Sequence, residues 1–248
     1  METPLPIQRP APPPVPWGLR DIFFAVLVSI AGIVLLNLGV IAINMAANNI
    51  IEKNGIALIG FVIFQDAIIV GAVILFSLTR YGVGKEALGW RSFPARLGCS
   101  MSAALLLASY FVRLVYGMVA MAFGYRPSLQ EITDRLDTQG LGFIASFIAV
   151  AIIAPFAEEI VFRGFIYGGL RSRFGVVAAI MGSTLFFTGL HFTVEQFIPI
   201  FALGLFLAWL YETSGSLFPG IILHATNNAI SLLLLVVLRA IGTIPNLN

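Results

Sequence analysis

The sequence predicts an all-α protein, a polytopic bundle of about seven transmembrane helices. Its 248 residues are 59% hydrophobic, its mean hydropathy is +0.97, and only 10% of its residues are charged. A soluble domain carries about 25% charged residues, so this chain has too few charges to solvate a water-exposed surface. The composition excludes most water-soluble enzymes and binding modules, and it indicates that a lipid bilayer covers most of the surface.

Charge and cysteine content exclude further classes of protein. Fourteen Lys and Arg residues against twelve Asp and Glu give a net charge of +2, and the chain has no basic run. Proteins that bind nucleic acid need a basic face, so we expect no nucleic-acid partner. The single cysteine excludes an internal disulfide. Nothing in the sequence fixes the oligomeric state.

The chain is predicted to divide into a tail and one membrane domain. Residues 1–16 hold seven of the thirteen prolines, a composition that favours extended conformations without a packed core. We therefore predict a disordered, proline-rich tail over residues 1–19. Residues 20–240 are predicted to form a single membrane-embedded helical domain, in which residues 143–238 hold two adjacent glutamates and both histidines.

Seven apolar runs follow the tail, and most approach the roughly 20 residues that cross about 30 Å of hydrocarbon. The fifth and sixth runs are short, so six to eight spans are compatible with the pattern. The runs cover residues 22–47, 56–78, 97–123, 143–162, 176–191, 197–211 and 217–238.

The distribution of basic residues predicts a cytoplasmic N terminus. With seven spans, eight Lys and Arg residues fall in segments on the N-terminal side of the membrane and four on the other side. Basic residues favour the cytoplasmic side. The first set is Arg9, Arg20, Arg80, Lys85, Arg91, Arg96, Arg171 and Arg173; the second is Lys53, Arg126, Arg135 and Arg239.

Two adjacent carboxylates end the fourth apolar run, in the segment A-P-F-A-E-E-I-V-F-R-G at residues 154–164. Residues four apart share a helix face, whereas adjacent residues point about 100° apart. Glu159 is therefore predicted to pair with Arg163, while Glu158 projects elsewhere and is free to act as a general base. Two other charges in apolar runs, Asp66 and Arg113, are interpreted as structural pairs with other helices and are left outside the site.

The only two histidines also lie in apolar surroundings. His191 follows Phe187 by one helical turn, and His224 precedes Asn228 by one turn. We predict a polar pocket between the fourth, fifth and seventh spans. A carboxylate and an imidazole there could activate a water, and an imidazole and an amide could stabilise an oxyanion.

A metal site is a weaker interpretation of the same residues. Two histidines and two glutamates could supply four ligands, but the predicted pair with Arg163 already engages Glu159. We expect no cofactor, and the sequence leaves a divalent metal open.

Three motifs resemble the CPBP family, the CAAX prenyl endopeptidases and bacteriocin-processing membrane proteins also known as the ABI family. They are E-E-x-x-x-R at Glu158, Glu159 and Arg163, F-x-x-x-H at Phe187 and His191, and H-x-x-x-N at His224 and Asn228. They occur in the family's order across residues 143–238, and the resemblance implies that these residues are the catalytic core.

The resemblance implies a helical intramembrane endopeptidase of the glutamate type. It implies that Glu158 activates water with His191, and that His224 and Asn228 form the oxyanion site. Glu159, Arg163 and Phe187 would support them. The implied substrate is a peptide or lipidated protein, either of the prenylated CAAX type or bacteriocin-like. The compact chain looks like a bacterial member, which implies the cell membrane.

Two alternative functions stay open in the sequence. The polar residues could hold helices together in a non-enzymatic immunity or scaffold protein. They could also form a proton relay in a transporter, although the chain shows no repeat symmetry of the kind many transporters have.

Simple alternation of the spans conflicts with a shared pocket, because it places Glu158 toward the inner side of the membrane and His191 toward the outer side.

Overall fold

The computed structural model describes residues 11–48, 55–125, 140–191 and 196–242, and these ranges contain helices and turns without a strand. The predicted all-α class is confirmed. The helices are α1 (Leu19–Ala46), α2 (Gly55–Ile74), α3 (Ala95–Ala122), α4 (Gly140–Ile148), α5 (Ala154–Glu159), α6 (Gly168–Gly189), α7 (Phe197–Ser214) and α8 (Leu217–Ala240). A π-helical stretch, Leu75–Thr79, extends α2, and two more, Ala149–Ile153 and Ile160–Tyr167, join α4 to α5 and α5 to α6.

Six helical segments in the described ranges are long and apolar enough to cross a membrane. The fourth of them, Gly142–Gly189, has 48 residues and contains the fourth predicted span and all but the last two residues of the fifth. A straight helix of that length would measure about 70 Å, more than twice the hydrocarbon thickness. The chain is thus an integral membrane protein, with close to the seven spans predicted.

The long segment reverses direction at Gly175, where φ is 81° and ψ is −179°. The rings of Phe162 and Phe187 lie on either side of this turn with centroids 5.1 Å apart, although a straight helix would separate these residues by about 40 Å. The two arms are therefore antiparallel. The first arm continues to Phe174, twelve residues beyond the predicted end of the fourth span.

The ends of the spans that were predicted to share one side of the membrane are in contact with one another. Arg80 pairs with Asp21 at 3.1 Å, and the backbone N–H of Leu217 donates to the carbonyl of Gly89 at 2.9 Å. These contacts support the predicted alternation of the spans. The cytoplasmic position of the N terminus stays a prediction.

The predicted tail is shorter than residues 1–19. Residues 1–10 lie outside the described residues, but the indole of Trp17 is 1% exposed and donates to the carbonyl of Phe165 at 2.9 Å. The backbone N–H of Val15 donates to the hydroxyl of Ser172 at 2.9 Å. Residues 15–18 pack on the domain because an aromatic and an aliphatic side chain bury apolar surface there, which the proline count alone does not reveal.

Helices α3 and α8 run parallel beside the hairpin. The Ser102 hydroxyl donates to the carbonyl of Pro219 at 2.9 Å, and the Tyr110 hydroxyl donates to the carbonyl of Asn227 at 3.1 Å. Both contacts join residues that are 117 positions apart, and a constant separation of this kind is what two parallel helices in register produce. This packing fixes the height of His224 and Asn228 relative to α3.

Candidate active site

The short helix α5 carries both glutamates between two π-helical stretches. Pro155 follows the π-helical stretch Ala149–Ile153 within one continuous helical run, and a proline has no N–H with which to continue the helical hydrogen bonds there. Wider π-helical turns on both sides change the direction of the side chains relative to a regular α-helix.

The predicted pair between Glu159 and Arg163 is confirmed. A nitrogen of the Arg163 guanidinium lies 3.0 Å from Oε1 of Glu159, and each side chain is 1% exposed. The guanidinium also lies 4.6 Å from the centre of the Phe187 ring. A Cβ at Gly220 would lie 2.9 Å from Oε2 of Glu159, so α8 can approach this carboxylate closely only because position 220 is a glycine.

The sequence did not predict that Glu159 also binds His224. Nδ1 of His224 lies 3.0 Å from Oε1 of Glu159. An ionised carboxylate only accepts hydrogen bonds, so Nδ1 carries the hydrogen and Nε2 faces the other way. Nε2 lies 3.7 Å from Oε2 of Glu158. The two adjacent glutamates thus contact opposite edges of one imidazole ring.

A backbone carbonyl orients the second histidine. Nδ1 of His191 lies 2.8 Å from the carbonyl oxygen of Phe187. A carbonyl can only accept, so Nδ1 donates, and Nε2 of the neutral ring carries a free lone pair. The Phe187 ring separates the two imidazoles, with centroids 4.6 Å from His191 and 5.6 Å from His224.

The Asn228 amide is held at both ends. Its nitrogen donates to the carbonyl of Val150 at 3.0 Å, and its oxygen accepts from the Asn227 amide at 3.1 Å. An amide nitrogen has two hydrogens, so one N–H of Asn228 is available to a ligand.

The four predicted catalytic residues line one cavity of about 710 Å³. Glu158, His191, His224 and Asn228 lie on its wall beside Phe187, other polar side chains including Arg113 and Gln196 also line it, and leucines of α8 form much of the apolar part. Glu159 and Arg163 lie behind this wall and are not part of the lining. The structure thus gathers the four residues from both arms of the hairpin and from α8.

The hairpin removes the predicted difference in membrane depth between Glu158 and His191. Glu158 lies seventeen residues before Gly175, and His191 lies sixteen residues after it. Antiparallel helical arms of nearly equal length bring these two residues to the same height. The prediction placed Glu158 too near the inner end because it ended the fourth span at residue 162.

Arg113, which the sequence analysis left outside the site, also lines the cavity. Its two terminal nitrogens donate to Asn227 Oδ1 at 3.3 Å and to Ser231 Oγ at 3.4 Å. The interpretation as a partner of another helix holds, but the sequence could not show that the facing groups border the pocket. Asp66 is not among the lining residues.

The arrangement does not resemble a metal centre. Within the described ranges, no group of three or more His, Cys, Asp and Glu side chains could hold a metal ion. Arg163 and His224 both engage Oε1 of Glu159. The expectation that the protein needs no cofactor stays a prediction from the sequence.

Comparison with known proteins adds one match. Residues 140–230 match a protein-family model described as Type II CAAX prenyl endopeptidase Rce1-like. No curated protein and no solved structure matches the chain. The matched range contains every residue of the predicted site, from Glu158 to Asn228. Over residues 140–230 the chain is thus matched to the Rce1-like CAAX prenyl endopeptidases, the group of enzymes that its three motifs resemble.

Proposed function

We propose that the protein is an intramembrane endopeptidase that hydrolyses a peptide bond of a membrane-associated substrate. The observation that carries the proposal is the shared cavity of Glu158, His191, His224 and Asn228 within a bundle of membrane-spanning helices. The match to CAAX prenyl endopeptidases supports the same reaction. The substrate is a prenylated CAAX-type or bacteriocin-like peptide, and the enzyme acts in a bacterial cell membrane.

Glu158 and His191 activate the hydrolytic water. The Glu158 side chain is 29% exposed and lines the cavity, as does His191, whose Nε2 can accept a hydrogen bond. A water between these two acceptors donates one hydrogen to each and directs an oxygen lone pair at the substrate carbonyl. As the new C–O bond forms, Glu158 takes the proton.

His224 and Asn228 stabilise the oxyanion that forms on the carbonyl oxygen. Because Nδ1 of His224 donates to Glu159, Nε2 can donate only when the ring is an imidazolium. Asn228 contributes its available N–H. Glu158 then returns its proton to the substrate nitrogen as the C–N bond breaks, which yields an acid and an amine.

The test is cleavage of a prenylated, internally quenched CAAX-type peptide by the purified protein in nanodiscs. General acid–base catalysis contributes about 10²- to 10⁴-fold to a rate, so we expect Glu158→Gln to lower kcat/KM by that factor. Glu86→Gln is the matched control, since Glu86 is exposed on the 3₁₀ turn Lys85–Leu88, and it is expected to cleave like wild type.

An E158Q variant that cleaves as fast as wild type would overturn the proposed mechanism. The non-enzymatic and transporter alternatives predict that no peptide is cleaved by any variant. A scaffold would keep its cellular phenotype in E158Q, and a transporter would move a substrate across proteoliposomes.

A further inference from the structure

Arg113 is a cation in the middle of a membrane-spanning helix and on the wall of the cavity. Its contacts within the described residues are all to neutral groups: the Asn227 amide oxygen at 3.3 Å, the Ser231 hydroxyl at 3.4 Å and the Tyr110 ring at 5.6 Å. No carboxylate of these ranges forms an ion pair with it.

The Arg113 guanidinium has an N–H group that no described residue accepts. Its Nε is buried without a hydrogen-bond partner among the described residues, and both of its printed hydrogen bonds are longer than the usual 2.7–3.2 Å. A charge inside a bilayer is costly unless a counter-ion or a functional ligand faces it. The planar fork of an arginine fits a carboxylate with two parallel hydrogen bonds. An anion that enters the cavity would therefore meet a guanidinium that has no carboxylate partner among the described residues.

We propose that Arg113 binds the C-terminal carboxylate of the peptide substrate and so restricts cleavage to bonds near a free C terminus. The inference rests on the proposed peptidase function and specifies its substrate. A CAAX sequence stands at the C terminus of its protein, so its last residue carries a free carboxylate close to the cleaved bond. The cavity offers Arg113 as the group that recognises this charge.

The position of Arg113 suits this role. Its partners Asn227 and Ser231 follow His224 by three and seven residues on α8, which corresponds to about 5–10 Å along the helix axis. An extended peptide covers about 3.3 Å per residue. A carbonyl beside His224 and a carboxylate beside Arg113 are therefore about two or three residues apart in one bound peptide.

The first measurement uses wild-type protein alone. One peptide is prepared as the free acid and as the C-terminal amide, and its cleavage is followed in nanodiscs of phosphatidylcholine only. A hydrogen bond to a charged group contributes about 10- to 100-fold, so the acid is expected to have a kcat/KM higher by that factor. Equal cleavage of acid and amide would overturn the proposal without any variant.

The second measurement compares Arg113→Gln with Arg96→Gln. Arg96 is an exposed arginine in the first turn of the same helix, and it is not among the cavity-lining residues. We expect R113Q to reduce the acid-to-amide ratio to within about twofold, whereas R96Q keeps the wild-type ratio. A merely structural Arg113 would lower both rates together and leave the ratio intact, which would contradict the proposal.

Two further experiments test other partners of the Arg113 guanidinium. Anionic phosphatidylglycerol is added to the nanodiscs; if it abolishes the acid preference of wild type, Arg113 is a lipid-phosphate site and the proposal fails. Glu195 lies outside the described residues and next to Gln196, which lines the cavity. An E195Q variant is expected to keep the acid preference, and its loss there would also overturn the proposal.

Binding to the inactive E158Q variant separates the two proposals. Fluorescent acid and amide peptides are titrated against it, with and without R113Q. If the wild type cleaves no peptide while E158Q still binds the acid preferentially through Arg113, the peptidase proposal is overturned and the carboxylate site is kept. If the acid and the amide peptides are cleaved and bound equally well, the peptidase proposal is kept and the carboxylate site is overturned.

Discussion

Glu158 and Glu159 are neighbours in the chain, yet their carboxylates lie in different surroundings. Glu159 is 1% exposed at its side chain and contacts both Arg163 and His224. Glu158 is 29% exposed and lines the cavity. One residue therefore holds other side chains in place, while its neighbour is accessible to water and substrate.

This difference predicts opposite phenotypes for two isosteric substitutions. Glu159→Gln leaves the buried Arg163 without a counter-ion, and loss of one partner of a buried ion pair costs about 3–5 kcal/mol. We expect E159Q to lower the free energy of unfolding by about this amount, measured by SDS titration in mixed micelles. E158Q serves as the comparison and is expected to unfold like wild type while it loses activity. Equal destabilisation by the two variants would contradict these roles.

At the residue scale, local spacing predicted part of the site. A four-residue interval on one helix fixes the pair of Glu159 and Arg163, and this pair was predicted from the sequence. The bond from His224 to Glu159 joins residues 65 positions apart, and no local period encodes it. The position of Arg113 on the cavity wall depends on the packing of α3 against α8, so it was missed for the same reason.

At the scale of elements, the hairpin around Gly175 brings the site together. Its backbone angles of 81° and −179° lie in a region that is essentially open to glycine alone. Hydropathy predicted both arms as apolar runs. It missed the extension of the first arm to Phe174, because residues 163–174 contain the charges Arg163, Arg171 and Arg173, which lower the local hydropathy.

Gly175→Ala tests the turn. A side chain at these backbone angles costs about 1–3 kcal/mol, so we expect a lower free energy of unfolding and a loss of peptidase activity as the arms shift. Gly189→Ala is the matched control on the same helix, since a Cβ there meets nothing within 4 Å and its φ is not positive. G189A is expected to retain wild-type stability. A G175A protein as stable as G189A would contradict the strained turn.

At the scale of the whole molecule, the bilayer decides the architecture. Large apolar side chains such as Leu35, Leu107 and Phe111 are exposed on α1 and α3. Their exposure is favourable only where lipid and not water surrounds the helices. The sequence predicted this class from its scarcity of charge, and it predicted which ends of the spans lie together. It could not give the π-helical stretches, because hydropathy does not distinguish one helical hydrogen-bond pattern from another.

The predicted orientation can be measured by cysteine labelling. In a C99S background, Glu86→Cys lies on the side predicted to be cytoplasmic, and Ala47→Cys lies at the opposite end of α1. Helix α1 has 28 residues, about 42 Å in length, which is enough to cross the bilayer. A membrane-impermeant maleimide added to intact cells is expected to label A47C and to spare E86C until the cells are opened. The reverse pattern would show that the N terminus lies outside.

The nearly equal arms of the hairpin also restrict how this chain can change in length. One residue inserted between Glu158 and Gly175 would rotate Glu158 by about 100° and move it about 1.5 Å along its arm relative to His191. An insertion of the same size in the other arm would not restore the original rotation, because the arms turn about separate axes. The interval from Glu158 to His191 is therefore fixed by geometry.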